Sequence, residues 1–119
     1  MAVDDRRAAR TVREPPSVVV RCAGHAARVL RDLRAGLEEE GVPVRVEHGP
    51  PGDAVTLAFG AAQASSLDVG IGVGAGGEVC VHHAKRPPDS PALTGTAHQA
   101  RLFGHNAARL VIGIPVKTR

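Results

Sequence analysis

Three consecutive glutamates, residues 38–40, place three carboxylates side by side in the chain. Carboxylate oxygens are the ligands that hard cations such as Mg²⁺ take in proteins, so this cluster could contribute to a metal site. The cluster falls in the last turn of a predicted helix, where negative charge opposes the helix dipole. One interpretation is therefore an acidic helix end that water solvates, and the other is a surface that binds a cation or a partner.

Helical geometry separates the three glutamates. With about 100° per residue, Glu40 lies near the edge of the apolar face of the helix, whereas Glu39 lies roughly opposite that face. Glu39 is therefore the carboxylate best presented to a partner or to a shared hard cation. The apolar face consists of Leu30, Leu33 and Leu37, and the stripe that includes Glu39 consists of Arg28, Asp32 and Ala35.

The remaining reactive side chains do not form a recognisable catalytic group. None of the six histidines occurs in HExxH or another tight ligand spacing. His82 and His83 are adjacent in a predicted strand, so they point to opposite faces and cannot chelate one ion as a simple pair. Cys22 and Cys80 form no CxxC pair, and their apolar surroundings predict buried, reduced thiols. We predict no catalytic and no cofactor-binding residues in this chain.

A glycine-rich segment at residues 72–77 has the letters of a dinucleotide-binding fingerprint. That fingerprint requires a strand before the glycines and a helix after them, so that the helix N-terminus meets the pyrophosphate. Residues 78–82 read instead as a strand. The segment is therefore predicted to be a hairpin turn, and the strand after it to run antiparallel to the strand before it.

Strands and helices alternate along most of the chain. Gly41 and Val42-Pro43 end the first helix, because glycine accepts a left-handed cap and proline cannot continue the helix. Asp53 is placed to cap the second helix. The predicted strands are 17–22, 44–48, 67–73, 78–83 and an edge strand at 112–116; the predicted helices run from 24 to 41, from 53 through 62, and from 98 to 111.

This order predicts a three-layer α/β/α sandwich around a mostly parallel five-stranded sheet with one antiparallel strand. Residues 17–119 form a single α/β domain in this prediction. Residues 1–16 combine seven charged side chains with two prolines, and we predict a disordered N-terminal tail. The chain has 119 residues, 43% of them hydrophobic, which suffices for one packed core.

Composition argues against several classes of function. The formal charge is +3, but the arginines are interleaved with acidic residues, and Phe59 and Phe103 are the only aromatic residues on which a base could stack. No apolar run approaches the roughly 20 residues that cross a bilayer, and no secretory leader is recognisable. We expect no nucleic-acid partner, no membrane span and a cytoplasmic protein.

Four segments resemble the small subunits of diol and glycerol dehydratase reactivating factors. GLEEEGVP at residues 36–43 resembles that family's GIEEEGIP, and LDVGI at 67–71 is similar to its LLVGI strand. His82 and the prolines after it resemble HYKNLP. GHNAARLV at 104–111, followed by GIP at 113–115, resembles GNNAARLVKGIP. The segments occur in family order and spacing, and the glutamate and NAARL segments are the most specific.

The resemblance implies a non-catalytic subunit with a fold like that of the dehydratase medium subunit, an architecture of the anticodon-binding-domain type. Such a subunit assembles with a large, chaperone-like ATPase subunit, as two of each. It exchanges transiently with the medium subunit of a coenzyme B12-dependent dehydratase, so that damaged cobalamin leaves. ATP or ADP is bound by the large subunit. The middle glutamate of the family's EEEG segment reaches a magnesium ion shared with that subunit, and it matches Glu39.

Two alternative functions stay open at this stage, and three features depart from the family pattern. The chain could be the medium subunit of a dehydratase, or a free-standing α/β domain that binds a small molecule at the carboxyl ends of its strands. Within the cytoplasm, a location inside a bacterial microcompartment also stays open. The charged tail, the glycine hairpin at residues 74–77 and His83, where the family often has Tyr, depart from the family pattern.

Overall fold

The computed structural model describes residues 15–118. The predicted disordered tail, residues 1–16, lies outside the described residues except for Pro15 and Pro16. The elements are β1 (Val18–Cys22), α1 (Ala27–Glu39), β2 (Val44–His48), α2 (Ala54–Ala64), β3 (Val69–Val73), β4 (Val79–His83), β5 (Leu93–Gly95), a 3₁₀ turn (Ala97–Gln99) and α3 (Ala100–Ile112).

The five strands form one sheet in the order β2-β1-β3-β4-β5. β1 is parallel to both β2 and β3, whereas β4 is antiparallel to β3 and to β5. Only β4 therefore runs against the other four strands, as the hairpin at residues 74–77 predicted. The Gly74 and Gly77 backbones close that hairpin, and a strand rather than a helix follows it.

The fifth strand was predicted wrongly. The sequence predicted an edge strand at residues 112–116, but Ile112 ends α3 and residues 113–118 belong to no strand. Gly113 has φ of 86°, a left-handed conformation that ends the helix and turns the chain back. The sheet is completed instead by β5, a short strand that the sequence analysis assigned to no element.

The N-terminus of α2 and the C-terminus of α1 have the caps that the sequence predicted. Asp53 accepts a hydrogen bond from the backbone N–H of Thr56 at 2.7 Å, which caps α2. The same N–H is the main cause that holds the pKa of the Asp53 carboxyl below its ordinary value. Gly41 has φ of 78°, and the N–H of Val42 donates to the Leu37 carbonyl, so that α1 ends in a left-handed cap.

The helices lie on both faces of the sheet, which completes the predicted three-layer sandwich. α1 and α3 cover one face, where alternate valines and Ile71 of the strands meet the leucines of α1 and Phe103 of α3. α2 covers the opposite face over β1, β3 and β4. With two Phe and no Tyr or Trp in the whole chain, this core is built mainly from small aliphatic side chains.

α2 approaches the sheet closely because β3 has no side chains on that face. A Cβ atom at Gly70 would collide with the backbone of Ala62, and one at Gly72 would collide with the carbonyl oxygen of Ala54. The backbone of α2 thus packs on the backbone of β3. On this side the two layers are held by main-chain contact and by small residues such as Ala58 and Cys80.

Candidate functional site

The candidate site lies where α1 crosses α3, and two glycines determine that crossing. A Cβ atom at Gly36 would collide with the Arg101 carbonyl oxygen and would lie 2.8 Å from the backbone nitrogen of His105. A Cβ atom at Gly104 would collide with the Leu33 carbonyl oxygen. The two helices therefore approach at main-chain distance, and the C-terminal end of α1 is placed directly beside α3.

Three basic side chains of α3 face the end of α1. Arg101, His105 and Arg109 are separated by four residues each, so they form a stripe along one side of the helix. Glu39 is the last residue of α1, and Glu40 is its C-terminal cap. The crossing therefore sets two carboxylates against a row of basic groups, 62 to 69 residues further along the chain.

Both oxygens of the Glu39 carboxylate are engaged. Oε1 accepts from Nε of Arg101 at 3.1 Å and lies 2.8 Å from Nε2 of His105, and Oε2 accepts from a terminal nitrogen of Arg101. The arginine contact is bidentate, the geometry in which guanidinium and carboxylate match best. Glu39 lies on the exposed side of α1, as the helical wheel predicted, but its carboxylate is turned toward α3.

The Glu40 side chain is more enclosed and contacts a second set of basic side chains. Its side chain is 14% exposed, and Oε2 lies 2.7 Å from Nδ1 of His105, 3.4 Å from Nε of Arg109 and 3.9 Å from Nζ of Lys117. The His105 ring thus stands between the two carboxylates.

Both carboxyl groups are held in the ionised state. The hydrogen bond from Arg101 is the main cause that lowers the pKa of Glu39, with His105 adding to it against some desolvation. The hydrogen bond from His105 is the main cause that lowers the pKa of Glu40, and Arg109 and Lys117 act in the same direction. Both side chains are therefore anionic at neutral pH.

The C-terminal segment is tied to the same place through a buried amide. Asn106 is 2% exposed; it donates to the Lys117 carbonyl at 2.9 Å and accepts from the Lys117 N–H at 2.6 Å. The Asn106 side chain thus pairs with the chain as a neighbouring strand would. Arg109 also donates to the Pro115 carbonyl at 3.1 Å. The segment held in this way exposes three large apolar side chains, Ile112, Ile114 and Val116.

Glu39 was the candidate metal ligand that the sequence singled out. No group of three His, Cys, Asp or Glu side chains is placed to hold a metal ion within residues 15–118. Glu39 nevertheless offers a hard oxygen donor, with 39% of its side chain exposed. A cation bound at Glu39 would need further oxygen ligands beyond those that residues 15–118 bring together.

The other sequence candidates lie away from this site. His82 is fully buried, accepts from the His83 N–H at 3.0 Å and lies 3.1 Å from the Pro88 carbonyl, so it holds the proline-rich loop against the sheet. Cys22 and Cys80 are free and buried, as predicted. Burial raises the pKa of the Cys80 thiol to about 12, which makes it a poor nucleophile.

A cavity of about 260 Å³ lies at the carboxyl ends of β1 and β3. This is the topological switch point of the sheet, because the chain continues from β1 to β2 on one side and then to β3 on the other side of β1. Its lining includes Cys22, His25 and the glycines of the 74–77 hairpin. This is where α/β folds bind ligands, although such pockets are commonly 300–1,000 Å³.

Among the described helices, none has both the length and the apolar character required to span a bilayer.

The sequence pointed to Glu39 but not to its partners Arg101 and His105, nor to Arg109 and Lys117, which lie beside Glu40. The four-residue spacing of the first three in a predicted helix was a usable signal for a basic stripe. The sequence does not show which element that stripe faces. The crossing at Gly36 and Gly104 decides that, and it depends on tertiary packing.

Comparisons with known proteins agree on one relationship. The family model for the dehydratase medium subunit matches residues 15–117. The propanediol dehydratase-reactivating factor small subunit of Salmonella typhimurium is 39% identical over 106 residues, which is 86% of this chain and 90% of that protein. The diol dehydratase-reactivating factor small subunit of Klebsiella michiganensis is 38% identical, covering 86% and 84%.

Two solved structures share the fold. A chain of a glycerol dehydratase reactivase superimposes with a TM-score of 0.83 at 40% identity, covering 87% of this chain and 97% of that one. A chain from a diol dehydratase-reactivating factor complexed with ADP and Mg²⁺ superimposes with a TM-score of 0.79 at 36% identity, covering 87% and 99%.

Proposed function

Since the chain belongs to the dehydratase medium-subunit family and, within it, to the small subunits of diol and glycerol dehydratase reactivating factors, we propose that it works as a binding subunit of a reactivating factor. In this proposal it assembles with a larger subunit and exchanges with the medium subunit of a coenzyme B12-dependent diol or glycerol dehydratase, so that damaged cobalamin is released. The observation that carries the proposal is identity near 40% over almost the full length of small subunits named for this role.

Subunit exchange follows from the fold. The chain matches the medium-subunit model over residues 15–117, whereas its relatives are reactivating-factor small subunits. In our proposal, this shared family relationship lets the small subunit occupy the place of the medium subunit on a common partner. A small subunit of this shape can therefore compete for the place of the medium subunit in the dehydratase without any chemistry of its own.

We further propose that nucleotide and magnesium belong mainly to the larger subunit, with Glu39 reaching the cation across the interface. One related complex is described with ADP and Mg²⁺. Bound there, the cation would supply a shared electrostatic link between the subunits. On this chain, His105 orients the Glu39 carboxylate, and the hydrogen bond from Arg101 is the main cause that lowers its pKa in the unassembled subunit. The proposed assembly is two small with two large subunits, in the cytoplasm or a microcompartment within it.

The test is metal-dependent assembly of the purified small and large subunits. Affinity is measured by titration calorimetry at several magnesium concentrations for the wild type, Glu39→Gln and Glu38→Gln. Glu38 is an exposed neighbour on the same helical turn, so its variant removes the same charge from the same end of α1. Loss of a metal ligand should weaken magnesium-dependent assembly of Glu39→Gln by about tenfold or more, and Glu38→Gln should assemble like the wild type.

Two outcomes would contradict the proposal at different levels. Equal affinity and equal magnesium dependence for wild type and Glu39→Gln would remove the role of Glu39 but leave the subunit role standing. Failure of the wild-type chain to bind any large reactivating-factor subunit, together with turnover of a substrate by the isolated chain, would refute the subunit role itself.

The match to the medium-subunit model also favours a second candidate, a medium subunit of a dehydratase. Co-expression with a dehydratase large subunit distinguishes the two. A true medium subunit would form a stable complex that binds cobalamin and turns over diol, whereas a reactivating-factor subunit would form a complex without that activity. A free-standing ligand-binding role would instead appear as saturable thermal stabilisation by a metabolite without any protein partner.

A further inference from the structure

We propose that Arg101 is an exchangeable counter-ion for Glu39: its guanidinium holds the carboxylate in the unassembled subunit and leaves it when a divalent cation binds at the interface. This inference rests on the proposed interfacial role of Glu39 and adds the residue that controls access to it. The observation behind it is that both carboxylate oxygens of Glu39 are already occupied, one by Nε and the other by a terminal nitrogen of Arg101.

The guanidinium and a divalent cation compete for the same oxygens. A bidentate arginine contact uses the in-plane lone pairs of both oxygens, and Mg²⁺ demands close, nearly ideal coordination geometry. A guanidinium left in place would also hold its positive charge beside the ion, where the two repel. Coordination at Glu39 is therefore coupled to departure of Arg101, and the free subunit is poorly disposed to bind the metal.

The exposure of the two basic neighbours indicates which one moves. The Arg101 side chain is 63% exposed, so it can rotate into water without leaving a cavity. The His105 side chain is 15% exposed and contacts Glu39 at 2.8 Å and Glu40 at 2.7 Å. His105 therefore keeps hold of Oε1 and orients the carboxylate, and Oε2 becomes free for the cation when Arg101 departs.

A second acidic group of α1 acts on the Arg101 guanidinium through its charge. Asp32 lies on the same side of α1, and its negative charge adds to that of Glu39 in raising the pKa of Arg101. Its side chain is 40% exposed. Asp32 already lies 3.7 Å from Nε of Arg31, so it would compensate the released guanidinium only in part.

The experiment measures the magnesium concentration at half-maximal assembly of the small and large subunits for the wild type, Arg101→Gln and Arg34→Gln. Arg34 is exposed on α1, so its variant controls for the general loss of one positive charge. Removing the competitor should lower the half-maximal concentration about two- to fivefold in Arg101→Gln, the range expected for an exposed ion pair. Arg34→Gln should match the wild type.

The direction of the shift separates competition from simple support. If Arg101 only positions Glu39, its loss will raise the magnesium requirement or leave it unchanged, and either result overturns the inference. A second readout is the side-chain Nε–H signal of Arg101 in the ¹⁵N-labelled small subunit. That signal should shift, and its exchange with water should accelerate, when large subunit and magnesium are both added; an unchanged signal in the assembled complex also overturns the inference.

The two proposals fail in different ways. Wild-type assembly that ignores magnesium refutes the metal role of Glu39 and, with it, the exchange at Arg101. Wild-type assembly that depends on magnesium and on Glu39, with no lowered requirement in Arg101→Gln, refutes the exchange alone.

Discussion

Replacing Gly36 by alanine tests whether the site depends on main-chain contact between α1 and α3. The added methyl group would collide with the Arg101 carbonyl oxygen and would lie 2.8 Å from the His105 nitrogen and 3.0 Å from the Gly104 Cα. All three neighbours are backbone atoms of α3, so no side-chain rotation relieves the contact. The two helices must separate, and the end of α1 that carries Glu39 must move with them.

A matched control is available in α2. A Cβ atom at Gly60 would lie 2.6 Å from a terminal nitrogen of Arg21 and 3.7 Å from its Cζ. These atoms are the far end of a flexible side chain that pairs with Glu47 at 2.9 Å and is 30% exposed. Gly60→Ala therefore makes the same chemical change in a helix interior, where the neighbour can move aside.

The expected magnitudes follow from two opposing contributions. Replacing glycine by alanine inside a helix gains about 1 kcal/mol in both variants. Overpacking costs about 1–3 kcal/mol, and the rigid neighbours at Gly36 place that variant near the upper end. Gly36→Ala should therefore lose about 2 kcal/mol of unfolding free energy, whereas Gly60→Ala should be unchanged or up to about 1 kcal/mol more stable.

The assay is urea unfolding followed by circular dichroism, with thermal unfolding as a second measure. Gly36→Ala should unfold at a lower urea midpoint with an unchanged slope, and its Tm should fall by about 8 °C, at roughly 4 °C per kcal/mol for a domain of this size. Stability of Gly36→Ala within about 0.5 kcal/mol of Gly60→Ala would refute the reasoning, because the crossing would then tolerate a side chain.

Two further predictions concern the charged and amide contacts of the site. The hydrogen bonds from Arg101 to Glu39 and from His105 to Glu40 are the main causes that lower the pKa values of these two carboxyl groups in the folded state. Their stabilising contribution is therefore complete above the unfolded value near 4.5 and is lost as the pH falls through the folded values. Urea midpoints of the wild type and the Glu39→Gln/Glu40→Gln double variant should differ at pH 7, and the gap should narrow steadily as the pH falls below about 4.5; a gap that stays constant over that range would contradict this. Asn106→Ala should cost about 1–3 kcal/mol and speed exchange of the Lys117 amide in hydrogen–deuterium measurements, because that N–H loses its acceptor; unchanged protection at that amide would show that the contact is dispensable.

The fold could be predicted from sequence wherever its signals are local. The β-branched run of β1, the helix caps at Gly41 and Asp53, and the glycine hairpin at residues 74–77 each specify their own conformation. Together they define the order of elements and the single reversed strand. These features required no knowledge of what packs against them.

The fifth strand could not be predicted because the stronger local pattern lies in the wrong place. Ile112-Gly-Ile-Pro-Val116 has the composition of an edge strand, but the left-handed Gly113 turns it away and Asn106 takes up its backbone groups. The actual strand, Leu93–Gly95, has three residues and one large apolar side chain. It is a strand because β4 lies beside it and offers free hydrogen-bonding groups.

The site was predictable only on its α1 side. The glutamate cluster and the family resemblance identified Glu39, and the helical wheel placed it on the exposed side. Its contact with Arg101 joins residues 62 positions apart, and no local pattern reports such a pairing. The pairing exists because the helices lack side chains at Gly36 and Gly104, so absent atoms rather than present ones determine it.

The bare face of β3 gives the two halves of the molecule different capacities for change. On the α2 side, the layers meet through peptide groups, which are identical in every amino acid, so substitutions there can disrupt the spacing but can hardly adjust it. On the α1 and α3 side, the helices also meet at main-chain distance, but the outer edge of the crossing carries charged side chains that can be exchanged one at a time. The domain thus joins a layer whose spacing tolerates little change to a surface whose affinity for other molecules can be altered one side chain at a time.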